Sequence, residues 1–363
     1  MVVLIAGLAG DAGPPRLSLV PVSFTALDGW AADHLAAALP ALLKSCARLL
    51  RRPEDAAFGA IASGADYGTV AEWREPCRMA ALVPAGDEVA ARGFFEAVFT
   101  AMAIADAGRD DGLFTGYFSI ELNGSRSRHG PYQTPIYRPP PANPAAPRCS
   151  RAQIEDGALA DRGLALLWVD DPIAAFFLQI QGSGRIRLDD GQLVRVGYAG
   201  QNGLPYVPVG RLLVERGDIP RGKVTMASIM TWMRAHPKRG AALRREDPSY
   251  VFFREINGPG PIGAERVVLT PQRSLAVDPA YVPLGTPVWL DADERFLVNQ
   301  HVRGLVIAQD AGGAIKGPVR GDLYWGAGKA AGDRAGAMNA RGREYLLLPR
   351  RTAARLAAEE ARR

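Results

Sequence analysis

The chain has little of what would hold a metal or a redox centre. Three cysteines stand among 363 residues, Cys46, Cys77 and Cys149, and no two have the spacing of a zinc or thiol-exchange motif. At most one disulfide is available, and three packed thiols are the simplest expectation. The four histidines, His34, His129, His236 and His301, are far apart, which suits solvated or locally hydrogen-bonded rings and predicts no metal. No GxxxxGKS phosphate loop occurs, nor a GxGxxG between strand and helix, so no cofactor is expected. A Ser-His-Asp order is absent as well.

Long runs of one kind are also missing. The 43 basic and 38 acidic residues give a net charge of +5, yet they are interspersed without a block of like sign. That excludes nucleic acid as the natural partner and leaves at most an anionic polymer surface. No stretch reaches the roughly eighteen apolar residues that span a bilayer. The apolar Met1 to Gly10 has the length of a signal core without its positive flank, so residues 1–27 are read as a signal remnant or an N-terminal arm. No cysteine there offers a lipid anchor. The expected product is soluble or peripherally bound.

What remains is a chain with 48% hydrophobic residues, long enough for two domains. Helical spacing of Trp30, Leu35, Leu39, Leu42, Leu43, Cys46 and Leu49 follows Asp28 as a cap, with Pro40 as a kink. A second helix is predicted from Asp87 to about Ala105, its aromatic stripe of Phe94, Phe95, Val98, Phe99 and Met102 belonging to the core. Residues 114–122 read as a strand, and a proline-laden segment to Pro147 reads as extended loop, whose Arg128, Tyr132 and Tyr137 fit either a docking surface or ordinary packing.

From Ser150 to about Asn257 short elements follow closely. Ser150 and Asp171-Pro172 start helices, while Phe177 to Gln181 and Gly182 to Arg187 read as two strands across a glycine turn. Val194 to Ala199 is a third strand. Helices are expected over Val209–Glu215 and Thr225–His236, the latter stopped by Pro237. After Pro248 strands predominate, at 250–254, 267–270, 288–291, 305–309 and 345–348. Strands without intervening helices suggest a small barrel or sandwich, and a charged alanine-rich helix from Arg351 closes the chain.

The chemistry concentrates between Ala308 and Gly336, where Asp310, Asp322 and Asp333 are threaded through glycines. Glycine there permits unusual backbone angles and close approach of a ligand. Asp310 and Asp322 are spaced so that a strand and a turn bring both to one cleft, with Lys316 between them as a cation for one of the pair. Such a pair separates its two carboxyl pKa values, one donating a proton and the other supporting it. Tyr324 and Trp325 flank Asp322, where they would desolvate it and offer faces to sugar rings. Asp333 beside Arg334 reads as an ion pair or helix cap. A second candidate is a polar strip of Gln179, Gln181, Ser183 and Arg185, alternating along a strand and suited to a ligand rich in hydroxyls and amides, with a plain solvated face as the alternative.

These motifs resemble the membrane-bound lytic murein transglycosylase A family. The resemblance rests on Asp310-Ala-Gly-Gly-Ala-Ile-Lys-Gly317, Gly321-Asp-Leu-Tyr-Trp-Gly326 and Ala331-Gly-Asp-Arg-Ala-Gly336, which look like the family's three-aspartate module. Gly116-Tyr117-Phe118, Pro135-Ile136-Tyr137, Gln181-Gly-Ser-Gly184, Tyr198-Ala-Gly-Gln-Asn-Gly203 and Pro248 to Phe253 add to it. The resemblance implies cleavage of the β-1,4 bond between N-acetylmuramic acid and N-acetylglucosamine in peptidoglycan, leaving a 1,6-anhydromuramoyl end. It puts the catalytic acid on Asp322 and a supporting aspartate on Asp310. The substrate-binding residues it suggests are Gln181, Ser183, Tyr198, Gln201, Tyr117, Lys316 and Tyr324.

The fold so implied is mainly β with a helical N-terminal part: a double-psi β-barrel over residues 28–123 and 257–350, an inserted β-rich domain over 124–256, a glycan groove between them, and a charged helix over 351–363. The implied place is the periplasm, with association to the outer membrane or a wall complex. Ser119 and Ile120 depart from the proline-containing continuation frequent in the family. A rival from another class is a polysaccharide-binding or wall-loosening protein that cleaves nothing, since related barrels bind glycans.

Overall fold

The computed structural model describes residues 17–59, 64–141, 148–258, 260–294, 301–313 and 315–362. The expected signal remnant, residues 1–27, falls largely outside them; of its described residues Leu17–Val22 form a strand and Phe24–Ala26 a 3-10 turn. Thirteen strands run in order: β1 Leu17–Val22, β2 Phe99–Asp106, β3 Gly112–Ser125, β4 Thr134–Tyr137, β5 Ala165–Val169, β6 Ser183–Leu188, β7 Leu193–Gln201, β8 Val251–Glu255, β9 Ser274–Val277, β10 Pro287–Glu294, β11 His301–Ala311, β12 Arg320–Ala327 and β13 Asn339–Pro349. The described residues divide into two compact units, one of 118–258 and 327–336 and the other of 17–117, 260–326 and 337–362.

In the second of these, strand pairing runs β13-β10-β11-β9-β12-β3 and returns from β3 to β13, so six strands close into a ring, with β2 and β1 continuing outward from β13. The β9 and β11 pair is parallel, Ile307 opposite Ser274, while β10 and β11 are antiparallel. The buried core of this unit includes Leu275, Trp289, Leu305, Ile307 and Leu346; residues 304–309 of β11 and 344–349 of β13 are buried without a break, so both faces of these strands are covered. Helices Leu39–Leu49, Val70–Ala80, Glu88–Val98 and Arg350–Glu360 belong to the same unit.

Strand pairing corrects several local expectations. The helix starting at Asp87 ends at Val98, because Phe99 to Asp106 is a strand paired on both edges, by β1 and by β13. Phe99 and Met102 therefore belong to a sheet; two ladders of hydrogen bonds outweigh helical spacing. The first helix begins at Leu39 after short 3-10 turns, and Pro40 sits in its first turn without kinking it, where a missing N–H costs nothing. Cys46 and Cys77 form a disulfide that ties this helix to the next, their Cα atoms 5.3 Å apart, and Cys149 takes part in no disulfide. Residues 267–270 form no strand; Val268 makes a single bridge to Ile262.

The other unit pairs the second half of β3 in parallel with β6, then β6, β7 and β8 antiparallel, with β4 and β5 alongside. Here the sequence misleads at Phe177 to Gln181, which is the end of a helix, Pro172–Gln181. Asp171 caps it by accepting from the Ile173 and Ala174 amides, and Gly182, at φ 74°, closes it. Residues 174 to 179 are all buried, and a helix buried all round shows the unbroken apolar run of a buried strand. The helix Met226–Ala235 does stop before Pro237, as its sequence predicts, and Pro237 then opens a further helix, Pro237–Glu246.

Arg151 is the polar centre of this unit. Buried to 2% exposure, it donates to the Asp247 carbonyl at 3.1 Å, to Gln179 Oε1 at 2.8 Å and to the Ser249 carbonyl at 2.6 Å, and lies 3.4 Å from the Asp247 carboxylate. Its guanidinium stacks over Phe176 at 4.6 Å.

Candidate active site

Strand β12 presents Asp322 and Tyr324 on one face and Leu323 and Trp325 on the other, as alternation requires. Asp322 is 5% exposed. Trp325 packs with the barrel core, its indole N–H toward Met338 Sδ at 3.4 Å, so it does not flank the acid as expected. Tyr324 does lie on the Asp322 face. Its buried ring is 5.2 Å from that of Tyr117.

Thr115 Oγ1 donates to Asp322 Oδ1 at 2.8 Å and itself accepts from Arg320 Nη2 at 2.9 Å. That chain fixes the direction of the hydroxyl proton. Oδ1 is thereby the acceptor, and Oδ2 is left for the acid proton. Burial pushes the Asp322 pKa up to about 6, opposed by the Thr115 hydrogen bond and the Arg320 charge and reinforced by Asp310. A carboxyl so placed is a proton donor near neutral pH.

Asp310 ends β11 and accepts three hydrogen bonds: from Tyr117 Oη at 2.8 Å to Oδ2, and from the Ala264 and Ala311 amides at 2.8 and 2.9 Å to Oδ1. Burial, then the Asp310 charge, pushes the Tyr117 phenol well up, so it stays a hydrogen-bond donor. The expected Lys316 to Asp310 pair does not form. Lys316 is 68% exposed and its Nζ lies 4.0 Å from Asp278 Oδ1. Asp333 lies in the helix Lys329–Ala337 and pairs with Lys329 at 2.7 Å instead of its neighbour Arg334.

The supporting cation is Arg320, which the sequence motifs do not single out, nor do they single out Thr115. Both are within reach of strand periodicity: Arg320 stands two residues before Asp322 and Thr115 two before Tyr117, and so each lies on the same face as its neighbour. Thr115→Val tests the contact. Removing a bond that favours the charged form should move the alkaline limb of the activity profile to higher pH, at a stability cost of about 1 kcal/mol; an unmoved limb would show that the contact does not tune Asp322.

In the other unit the polar strip breaks up. Gln179 is buried and engaged by Arg151, and Gln181 ends the helix half-buried, its amide 3.9 Å from Met226 Sδ. Ser183 opens β6 opposite Gly197, and Arg185 pairs with Glu121. Tyr198, 52% exposed, and Gln201 lie on β7. Among the described residues no group of three or more His, Cys, Asp or Glu side chains is arranged to hold a metal ion.

Both units have counterparts among known proteins. Residues 113–254 match the MltA specific insert domain and residues 273–348 match the 3D domain. The chain is 36% identical over 241 residues to the membrane-bound lytic murein transglycosylase A of Escherichia coli K12, a match spanning 64% of this chain and 65% of that protein. Among solved structures, it is 45% identical to the lytic transglycosylase LtgG of Burkholderia pseudomallei, with a TM-score of 0.68, covering 93% of this chain and 98% of that one. E. coli MltA with bound chitohexaose is 29% identical with a TM-score of 0.65, over 92% and 94% of the two chains. Sequence profile, identity and fold agree, and the chain belongs to the membrane-bound lytic murein transglycosylase A family.

Proposed function

We propose that this protein is a peptidoglycan lytic transglycosylase, cleaving the β-1,4 bond between N-acetylmuramic acid and N-acetylglucosamine with Asp322 as its single acid and base. The observation that carries the reading is a buried Asp322 whose Oδ1 is occupied by Thr115 and whose pKa is raised to about 6. Protonated Asp322 donates to the glycosidic oxygen as the bond from the anomeric carbon breaks. Its carboxylate then removes the proton from the muramic acid 6-hydroxyl as the oxygen closes on that carbon. The acid is regenerated and no water enters. Holding the hydroxyl beside the anomeric carbon makes the attack intramolecular, an advantage of several kcal/mol. Asp310, held by Tyr117 and two amides, acts on Asp322 in the direction that favours its protonated form.

The glycan ligand is supported by a relative whose structure contains chitohexaose. Gln181, Ser183, Tyr198 and Gln201 are the sugar contacts we assign in the inserted unit, with Tyr117, Tyr324 and Lys316 in the barrel unit; exposed Tyr198 is the best placed of them to stack on a sugar ring. The mixed pairing of a six-stranded ring favours a double-psi β-barrel as the finer description. We place the protein in the periplasm, in keeping with a relative described as membrane-bound. No helix among the described residues is long and apolar enough to cross a membrane.

Digestion of purified murein sacculi followed by mass spectrometry tests the assignment. Anhydromuropeptides are the expected products, reducing ends would identify a hydrolase, and no release at all would favour the wall-binding alternative. Because the donor must be protonated, turnover should decline as pH rises through about 6. A flat rate from pH 5 to 8 would contradict an acid of that pKa.

A further inference from the structure

A turn that the mechanism does not use lies directly behind Asp310. Gly263 to Arg266 folds tightly, with the Arg266 amide donating to the Gly263 carbonyl and Arg266 at φ 61°. A non-glycine residue in that region costs about 1 kcal/mol or more and persists where its surroundings hold it. The turn lies against β11 so closely that a Cβ on Gly263 would fall 2.4 Å from the Gln309 carbonyl oxygen. Two amides of the turn dock on β11: Glu265 N–H donates to the Gln309 carbonyl at 3.0 Å, and Ala264 N–H to Asp310 Oδ1 at 2.8 Å.

Glu265 is 8% exposed, and its side chain locks the same turn from the other side. Gln309 Nε2 donates to Ser45 Oγ at 2.8 Å, and Ser45 Oγ donates to Glu265 Oε2 at 2.6 Å. Gln309 is itself held by the Ala41 carbonyl at 2.8 Å and by Ser274 Oγ at 2.6 Å. A buried carboxyl of this kind is costly unless bonded; here Arg48 faces it, and its hydrogen bond runs through Ser45 to Gln309, the residue that precedes Asp310. Beside Glu265 opens a cavity of about 330 Å³, also lined by Arg48, Arg52 and Phe58.

We propose that Glu265 is a positioning residue: through Ser45 and Gln309 it pins the 263–266 turn on β11, so that the Ala264 amide holds Asp310 at the distance from Asp322 that the reaction requires. The inference rests on the reading of Asp322 as the acid and Asp310 as its neighbour. Without the pin, Asp310 loses one of its three donors and turns away, and Asp322 loses the negative charge that favours its protonated form.

The test compares Glu265→Ala, Glu265→Gln and Ser45→Ala in the full chain, with murein sacculi as substrate and Asp322→Asn as the reference. Glu265→Ala should lower kcat about tenfold with KM changed less than about twofold, the scale of a small misplacement at a reacting centre. Its alkaline limb should also move to lower pH, since Asp322 loses a proton more readily once Asp310 has turned away; Arg320 and Tyr117 still face the acid in both proteins. Glu265→Gln keeps an oxygen that accepts from Ser45 and should restore most of the rate and the parental limb. Ser45→Ala cuts the same chain without touching the carboxyl, should reproduce the Ala effect in part, and carries the test if Glu265→Ala does not fold. A folded Glu265→Ala or Ser45→Ala with parental kcat and limb overturns the proposal, as does a Glu265→Gln as impaired as the Ala variant. An active Asp322→Asn would instead refute the reading of the site itself.

Discussion

Asp322→Asn is expected to cut release of anhydromuropeptides from sacculi by at least about a thousandfold while leaving the protein folded and able to bind glycan. General acid catalysis contributes roughly a hundred- to ten-thousandfold where one group moves one proton, and in the proposed reaction the same carboxyl gives a proton and then takes one. Asparagine preserves the shape, and its carbonyl oxygen still accepts from Thr115, whose hydroxyl is directed there by Arg320. What disappears is the proton on the second oxygen. A sedimentation assay with intact sacculi separates binding from cleavage. Near-parental cleavage by the variant would remove Asp322 from the chemistry; loss of binding together with cleavage would indicate that the substitution had disturbed more than a proton.

The second large effect concerns stability. Arg151→Leu should destabilise the inserted unit by about 3–5 kcal/mol, because it removes one partner of a buried pair and strands the other. Asp247, 1% exposed, would keep only the Val207 and Ser249 amides as donors. Burial already pushes the Asp247 carboxyl up, against the pull of Arg151 and the two amides, so losing Arg151 would push it further up. Gln179 Oε1 and the Ser249 carbonyl would lose their donor as well. Replacing both members, Arg151→Leu with Asp247→Leu, should recover part of the loss, since a buried pair replaced by apolar groups is often close to neutral. Urea unfolding followed by tryptophan fluorescence measures this, with Trp168 and Trp232 reporting from the unit. A single variant within 1 kcal/mol of the parent would mean that the network is not a fastener of this unit.

Elements whose periodicity is local are legible in the amino-acid sequence. The β3, β7, β11 and β13 strands, the helix caps at Asp87, Ser150 and Asp171 and the nearness of Asp310 to Asp322 all follow from side-chain spacing. What is not legible depends on partners distant in sequence. Phe99 to Asp106 is a strand because β1 and β13 flank it, and Phe177 to Gln181 is helical because the core surrounds it on every side. The charge supporting Asp322 comes from Arg320, although Lys316 also stands between the two aspartates; strand alternation favours the residue two places away. Periodicity places Thr115 on the face of Tyr117, but its bond to Asp322 spans 207 residues and that of the Ala264 amide to Asp310 spans 46, so no local pattern names the partner.

The bond between Cys46 and Cys77 closes a stretch with a sequence separation of 31. A cross-link of that span narrows the unfolded ensemble by about 3–4 kcal/mol of chain entropy, comparable to a large part of the net stability of an ordinary domain. Such a bond is made and kept only in oxidising surroundings. The helix that carries Cys46 also carries Ser45, so reducing the disulfide should loosen the helix from which Ser45 meets Glu265 and Gln309.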